Sequence, residues 1–541
     1  MIRDTIEGLA DSRHDVCVIG SGPVGISLAL ELERLGRSVL LLESGGEAQE
    51  AEAQALSDAH IVDPARHDDM RIAVARRLGG TSNLWGGRCL PFDPIDFEPR
   101  AIVGGALWPI GFEDIAPHIA AATRYACAGA PLFALDDAHP PSGDFSISSL
   151  ERWSRNRRLQ IAHRQALAAS SKIDLRLHAT LVGLDWSERR IAGLKVATRD
   201  GRRIAVPVGN VVLAMGGLES TRLLLNEQRR SAGLFGGPDG PLGRYYMGHM
   251  IGEIADIVFA SEAVDRLFEY EIDAHASYVR RRFTPTPQAQ RQHGLLNIAL
   301  WPVVPQISDA RHGDGFLSSI ALALSIRPLG RRLIAEAIRK RHIPDGMARL
   351  PHLMNLVRDL PQTALAVPLL LWNRYLASIP VPGFYKRNAG RRYGLSYHSE
   401  QAPSARSRVR LARDSDPTGL PRLEIDLRFA EADADSVVRC HDLLASWLER
   451  TRLGRIEFRH QPDERRARVL AQASHGTHQI GTARMARSHE EGVVDQDLRV
   501  FDAENLYVAS SAVLPTSGQA NPTLTVMALA MRLAAKLATP R

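Results

Sequence analysis

Cysteine is scarce in this 541-residue chain. The four present, Cys17, Cys89, Cys127 and Cys440, stand too far apart to suggest a disulfide framework or a zinc site. A reducing compartment fits such a set, and no metal site is expected. No window reaches the ~18 uninterrupted apolar residues that a membrane-crossing helix needs. Residues 1–15 lack the apolar h-region of a secretory signal. Internal repeats at solenoid periods, low-complexity segments and recognised nucleic-acid modules are missing too, which excludes repeat arrays and argues against a nucleic-acid partner. The expectation is a cytoplasmic protein.

What is present is ordinary globular composition, 45% hydrophobic and 24% charged, in a chain long enough for two or more domains. The net charge of +6 is unevenly spread. Residues 327–392 hold thirteen Lys or Arg against three acids, a local excess of ten, so the remainder carries about minus four. That segment includes Arg339-Lys340-Arg341 and the apolar run from Ala364 to Trp372. Two accounts stay open: cap helices with a solvated basic face, or a surface that rests on an anionic membrane or receives a phosphate-bearing substrate, making the protein peripheral on the membrane.

The chain is organised around Asp15 to Ser44. An apolar run, Val16 to Ile19, has the character of a buried parallel strand. Gly20-Ser21-Gly22-Pro23-Val24-Gly25 follows, its glycines suited in turn to a tight turn, close approach to a pyrophosphate, and close helix-on-strand packing. Ile26, Leu30 and Leu35 are spaced for a helix whose N-terminal N–H groups face the phosphates. A second strand, Ser38 to Leu42, ends at Glu43, eighteen residues beyond Gly25, where a carboxylate can accept from a ribose 2′-hydroxyl. The set predicts a dinucleotide site but leaves FAD and NAD undecided.

Beyond a polar, helical excursion over residues 46–60, Leu78 to Arg100 carries glycine pairs at 79–80 and 86–87 around Thr81, Ser82, Asn83 and Trp85. This is a loop whose backbone can lie against a flat or anionic ligand; an irregular surface loop with a buried Trp is the plain alternative. Strands at Leu194 to Thr198 and Arg203 to Val208 flank Asp200-Gly201, a hairpin signal. The apolar run Asn210 to Ala214 enters Met215-Gly216-Gly217 and a helix from Ser220 to Leu225, as if the chain re-enters its first sheet. Gly240 to Met250 reads as a glycine-rich linker and domain boundary. Ser407 to Leu411 and Leu423 to Leu427 read as strands joined through Asp416-Pro417-Thr418-Gly419. At the C-terminal end, Leu506 to Ala509 has strand character, and Thr523 to Leu537 is a helix with Pro522 at its start, its N-terminal dipole near Asn521 suited to an electron-rich ring edge.

Taken together, Gly20 to Glu43, GGTSNLW, VVLAMGGLESTRLLL, HQIGTARM and NPTLT resemble, in that order, the glucose–methanol–choline (GMC) oxidoreductases, and most of all the branch with pyranose oxidase and the flavin-dependent sugar dehydrogenases. The likeness covers about half the chain; the middle matches only through EQAPSARSRVRL. It implies an α/β fold with a Rossmann-like FAD domain from residues 1–250 and 471–541. An inserted α+β substrate domain with an antiparallel sheet would occupy 251–470. It implies FAD as cofactor, oxidation of an alcohol of a sugar or glycoside to a carbonyl, and an electron acceptor that is dioxygen, a quinone or another protein. A nonsugar alcohol such as a sterol or a natural-product intermediate, or a flavin-binding protein without turnover, is the alternative.

By the same resemblance His478 is the catalytic base and Asn521 its partner at the substrate oxygen, with His475 a neighbour. A neutral imidazole is well suited to take a hydroxyl proton near pH 7. The resemblance adds Gly80, Thr81, Asn83, Trp85, Gly86, Val182, Ser510, Asn521 and Thr523 to Gly20, Gly22, Gly25 and Glu43 as FAD contacts. The family's covalent histidine is replaced by Leu84, which implies dissociable FAD. Ser510-Ser511 stands where an acid is frequent.

Overall fold

The computed structural model describes residues 2–104, 107–135, 143–334, 336–372, 376–377, 381–383, 385–387 and 390–539. The expected first strand, Val16–Ile19, is fully buried and lies inside a six-stranded sheet whose paired neighbours all run parallel. The order is Ile2–Arg3, Ile173–Arg176, Val39–Leu42, Val16–Ile19, Asn210–Leu213, Leu506–Val508. Burial on both faces explains the unbroken apolar runs of the central strands Val16–Ile19 and Val39–Leu42. Helix Pro23–Arg34 packs on the sheet, and helix Pro522–Ala538 packs against it, so one core joins both ends of the chain. The return at Asn210 to Ala214 therefore pairs with the first strand, as its pattern predicts.

The hairpin around Asp200-Gly201 is present, with Gly201 at φ +81°, but belongs to a three-stranded antiparallel sheet that also includes Thr180–Ser187. A four-stranded antiparallel sheet is built from Ile298–Val303, Arg392–Glu400, His249–Phe259 and Gly454–Phe458. It is backed by helices Glu431–Thr451 and Pro462–Gln472 through Met250, Ile254, Leu395, Val437, Leu444 and Val469. The fold is thus mixed α/β with separate parallel and antiparallel sheets.

Two expectations change, and a third is narrowed. The Gly240 to Met250 linker ends inside a strand: His249 and Met250 pair with Glu400 and Ser399. Glycines before the strand disguise its start, since its fixed edge is set by a partner some 150 residues away. The excursion over 46–60 is helical only at Ala51–Ala55. The basic segment folds as short helices, among them Arg327–Leu333, Glu336–His342, Arg349–Arg358 and Leu360–Leu371. Within its triplet, Arg339 is 4% exposed and bound to Glu336 at 2.9 Å, so it offers solvent no charge. The parts of the segment at 335, 373–375, 378–380, 384 and 388–389 lie outside the described residues.

Candidate active site

A cavity with about 1480 Å³ of empty space, part of it open to solvent, lies at the carboxyl ends of the parallel strands. Gly20, Gly22, Glu43, Gly80, Thr81, His478, Ser510 and Thr523 line it. The glycines behave differently. Gly20 sits at φ +98°, and a Cβ there would lie 2.7 Å from the Ala214 carbonyl oxygen. A Cβ on Gly25 would lie 1.8 Å from the Gly20 oxygen, so helix and turn can meet only without a side chain. At Gly22 a Cβ would meet no protein atom within 4 Å, because this glycine faces the cavity, where a phosphate would approach. The Gly79–Gly80 loop packs back onto this turn: a Cβ on Gly80 would lie 2.8 Å from the Gly22 Cα.

Glu43 is buried. Its Oε2 accepts from the Ser21 N–H (3.0 Å) and hydroxyl (2.7 Å), and its Oε1 from the Gly45 N–H (2.9 Å). These bonds hold the carboxylate at the cavity wall, with one lone pair, on Oε1, remaining for a ribose hydroxyl. The buried Ser510 hydroxyl lines the cavity and has no protein partner, as a group awaiting a polar ligand would. A cavity with an anion-accepting turn at one end, a carboxylate beside it and an orphaned hydroxyl further along fits FAD.

Gly25 and Asn521 are not part of the cavity wall, and four more expected contacts lie elsewhere. Asn83 spends its amide inside its own loop, donating to the carbonyls of Leu78 (3.0 Å) and Gly80 (2.8 Å) and accepting from Gln160 (2.6 Å). The Trp85 indole donates to the Arg157 carbonyl at 2.5 Å, and neither Trp85 nor Gly86 reaches the cavity. Val182 points into a small cluster with Ala197 and Leu420, and Ala179, Thr180 and Leu181 line the wall in its place. Polar and aromatic residues in a glycine-rich loop signal its shape as readily as a ligand.

Asn521 stands at the N-terminus of helix Pro522–Ala538 without using its side chain as a cap. Pro522 and Thr523 line the cavity, while Asn521 itself lies just outside the wall. The HQIGTARM segment is knitted to the helix after Gly216: Gln479 accepts from the Leu218 N–H (3.2 Å), and the hydroxyls of Thr221 and Thr482 are 2.7 Å apart.

Around His478 the structure assembles a cluster that no local pattern announces. His249 and His398 stack with centroids 4.2 Å apart and planes 16° from parallel, and His475 lies 4.4 Å from His478, centroid to centroid. His478 Nδ1 is 2.9 Å from His249 Nδ1, and His249 Nε2 is 3.2 Å from the Ser517 carbonyl oxygen. Burial pushes His249 down to about 3, with Arg88 adding to the effect, and burial with its charged and ring neighbours holds His398 well below the usual range. Both rings are therefore neutral at pH 7. A carbonyl can only accept, so His249 carries its proton on Nε2 and presents Nδ1 as an acceptor. His478 must then donate from Nδ1, which makes Nε2 its proton-accepting nitrogen. His249, His475 and His478 also bring ring nitrogens within 4.8 Å of one another, close enough for one cation to bridge, in a group without a carboxylate.

Comparison with known proteins bears on the cofactor and the chemistry. The family profile described as GMC oxidoreductase matches residues 403–530, and one described as FAD binding domain matches residues 13–63. The chain is 25% identical to 6'''-hydroxyparomomycin C oxidase of Streptomyces lividus over 593 residues, covering 99% of this chain and 94% of that protein. It is 22% identical to 2-methyl-1,2-propanediol dehydrogenase of Mycolicibacterium austroafricanum, covering 96% and 94%. It is 34% identical to C-glycoside 3-oxidase of Arthrobacter globiformis over 124 residues, 23% of this chain and 22% of that protein.

Proposed function

Because the chain belongs to the GMC oxidoreductases and is an FAD-dependent enzyme acting on CH–OH groups, we propose that it oxidises a hydroxyl of a sugar or glycoside to a carbonyl, with His478 as the base. Bound FAD supplies the hydride acceptor. The protein must then remove the hydroxyl proton, and the observation that carries the proposal is the bond from His478 Nδ1 to His249, which leaves the basic lone pair on Nε2. Asn521, its amide not spent on capping, is the partner that orients the same oxygen. Gly20, Gly22, Glu43, Gly80, Thr81, Ser510 and Thr523 hold the cofactor, which is not covalently attached, and Gly25 lets the helix pack against the turn that carries it.

The likeness to a C-glycoside 3-oxidase supports a glycoside substrate. The end-to-end likeness to 2-methyl-1,2-propanediol dehydrogenase supports a second reading, a small nonsugar alcohol. We further propose that residues 1–250 and 471–541 form the FAD domain and 251–470 the substrate domain. The parallel sheet draws its strands from the first set, and the antiparallel sheet draws all but the start of one strand from the second. The acceptor is dioxygen, a quinone or a protein. Anaerobic bleaching of the flavin absorbance with sugars, glycosides and simple alcohols tests the proposal, with His478→Ala alongside. Bleaching by a glycoside in the parent and its loss in the variant is the expected result; bleaching by diols alone would select the second reading, and equal bleaching in the variant would remove His478 from the role.

A further inference from the structure

The helical segment between strands Ile298–Val303 and Arg392–Glu400 has an inside and an outside. Phe316, Leu317, Ala321, Leu324 and Ile343 form a small core of their own, against which Ala366 and Val367 pack. Helix Arg349–Arg358 turns the buried His352 inward, and helix Leu360–Leu371 turns Thr363 inward. The opposite faces are apolar as well. Leu350, Leu353, Met354 and Val357 occupy i, i+3, i+4 and i+7 and are exposed, Leu350 at 69% and Val357 at 73%. Leu365, at 79%, continues through Leu369, Trp372 and Leu376. Of the sixteen exposed large hydrophobic residues described in the chain, eleven fall between Ile326 and Leu376.

A stripe that repeats at helical spacing on the solvent side is the pattern of a surface made to be covered, whereas scattered exposed leucines would carry no such meaning. What covers it is indicated by charge. The segment's formal excess of positive charge lies in the same stretch as the stripe, although Arg327, Arg331, Arg339 and Arg358 pair with acids inside it and Lys386, Arg387 and Arg392 with acids outside it. Arg332 and Arg349 are exposed and have no ion-pair partner among the described residues. Arg349 immediately precedes Leu350, so a cationic head stands at one end of the apolar stripe and its stem can lie along it. The twelve-residue helix Leu360–Leu371 is about 18 Å long, well short of the ~30 Å hydrocarbon core. Among the described residues no helix is long and apolar enough to cross a membrane. A pair of helices of this length and pattern suits a surface-lying element and not a spanning one.

We infer that the outer face of helices Arg349–Arg358 and Leu360–Leu371 docks on an anionic phospholipid bilayer, with Leu353, Val357, Leu365, Leu369 and Trp372 entering the headgroup boundary and Arg332 and Arg349 meeting lipid phosphates. Apolar burial and counter-charge act together here, so loss of either weakens docking.

The test is co-sedimentation of the FAD-loaded protein with vesicles of phosphatidylcholine alone and of phosphatidylcholine with phosphatidylglycerol. Sedimentation with the anionic vesicles only, accompanied by a blue shift of tryptophan emission that Trp372→Leu abolishes, is the expected result. Arg332→Gln/Arg349→Gln should weaken partition about 25-fold, each lost basic contact being roughly a fivefold effect. Val357→Glu/Leu365→Glu should abolish it while flavin content and turnover of a soluble substrate stay at the parent level. Absence of parent sedimentation, or equal sedimentation by the glutamate variant, would overturn the inference. A parent dimer in solution that Val357→Glu/Leu365→Glu splits, without vesicle binding, would overturn it as well and assign the face to a second copy of the chain.

Discussion

His478 Nδ1 lies 2.9 Å from Nδ1 of His249, and His249 in turn faces the Ser517 carbonyl oxygen through Nε2. The carbonyl selects the tautomer of one ring, and that ring selects the tautomer of the next. Because burial keeps His249 neutral far below neutral pH, the selection persists across the physiological range. Replacing His478 with Ala should slow anaerobic flavin reduction by about 10²–10⁴-fold, the usual worth of a positioned general base. Replacing His249 with Leu removes only the acceptor that orients the base. The expected loss is about tenfold in the reduction rate with little change in substrate KM, consistent with one hydrogen bond. His249→Asn, whose amide oxygen can still accept, should recover part of the loss. A His249→Leu enzyme that reduces at the parent rate would show that the relay does not set the tautomer.

Acid should unfold the protein earlier than its carboxylates alone require. His67, His249, His398 and His441 are all buried with pKa values below the ordinary 6.5, and burial is the first cause in each. In the unfolded chain these rings protonate near pH 6.5. Between that pH and their lower folded values, about 4 for His441 and about 3 for His249, the unfolded state binds protons that the folded state refuses, so stability falls as pH falls. Asp433, pushed up to about 6 by burial, works in the opposite direction. His441 packs on Tyr397, away from the cavity, and gives its Nδ1 proton to the Val437 carbonyl at 2.8 Å. His441→Phe should recover about 2 kcal/mol at pH 5 and leave activity at pH 7.5 unchanged. Thermal melts at pH 5 and 7.5 check it; equal losses in both proteins would sink the argument.

The parts of the molecule that local chemistry dictates were legible in the sequence. The strand, glycine turn, helix and acid of residues 15–44 carry their geometry in their composition, and Pro522 marks a helix start because it needs no N–H donor there. The return strand at Asn210 to Ala214 was legible for the same reason, a short apolar run entering glycines. His249 and His398 were not. Each is a single residue in an unremarkable strand, and they meet because Ile251 pairs with His398 and His249 with Glu400 across an antiparallel register. That register is set by apolar packing over residues far apart in the chain, which no window of sequence contains. Asn83 and Trp85 failed in the other direction: the loop needs them to hold its own shape, and the same residue types would have suited a ligand.

Flavin should leave the protein on unfolding. Leu84, at the end of the short turn Gly80–Asn83, offers no nucleophile, and neither Leu84 nor Trp85 lines the cavity. Acid precipitation of the yellow protein should leave the pellet colourless and the supernatant with the absorbance and the phosphodiesterase sensitivity of free FAD. Flavin retained in the pellet would mean a covalent link through some other residue.

Gly22 and Gly25 separate cofactor binding from folding. Both belong to the same turn, and alanine at either adds one methyl group. At Gly25 that methyl would sit 1.8 Å from the Gly20 carbonyl oxygen, a backbone atom held by the strand, so helix and sheet must part. Overpacking of this kind costs about 1–3 kcal/mol or more, and Gly25→Ala should lower the melting temperature of the apoprotein. At Gly22 the methyl meets nothing in the protein within 4 Å and stands where a phosphate approaches. Gly22→Ala should therefore leave apoprotein melting unchanged and weaken FAD retention by tenfold or more, since the turn's N–H donors can no longer reach the anion as closely. Melting curves of the flavin-stripped proteins, read beside flavin titrations, distinguish the two. If Gly22→Ala destabilised the apoprotein as strongly as Gly25→Ala, the open face assigned to Gly22 would be wrong, and with it the direction from which the pyrophosphate enters.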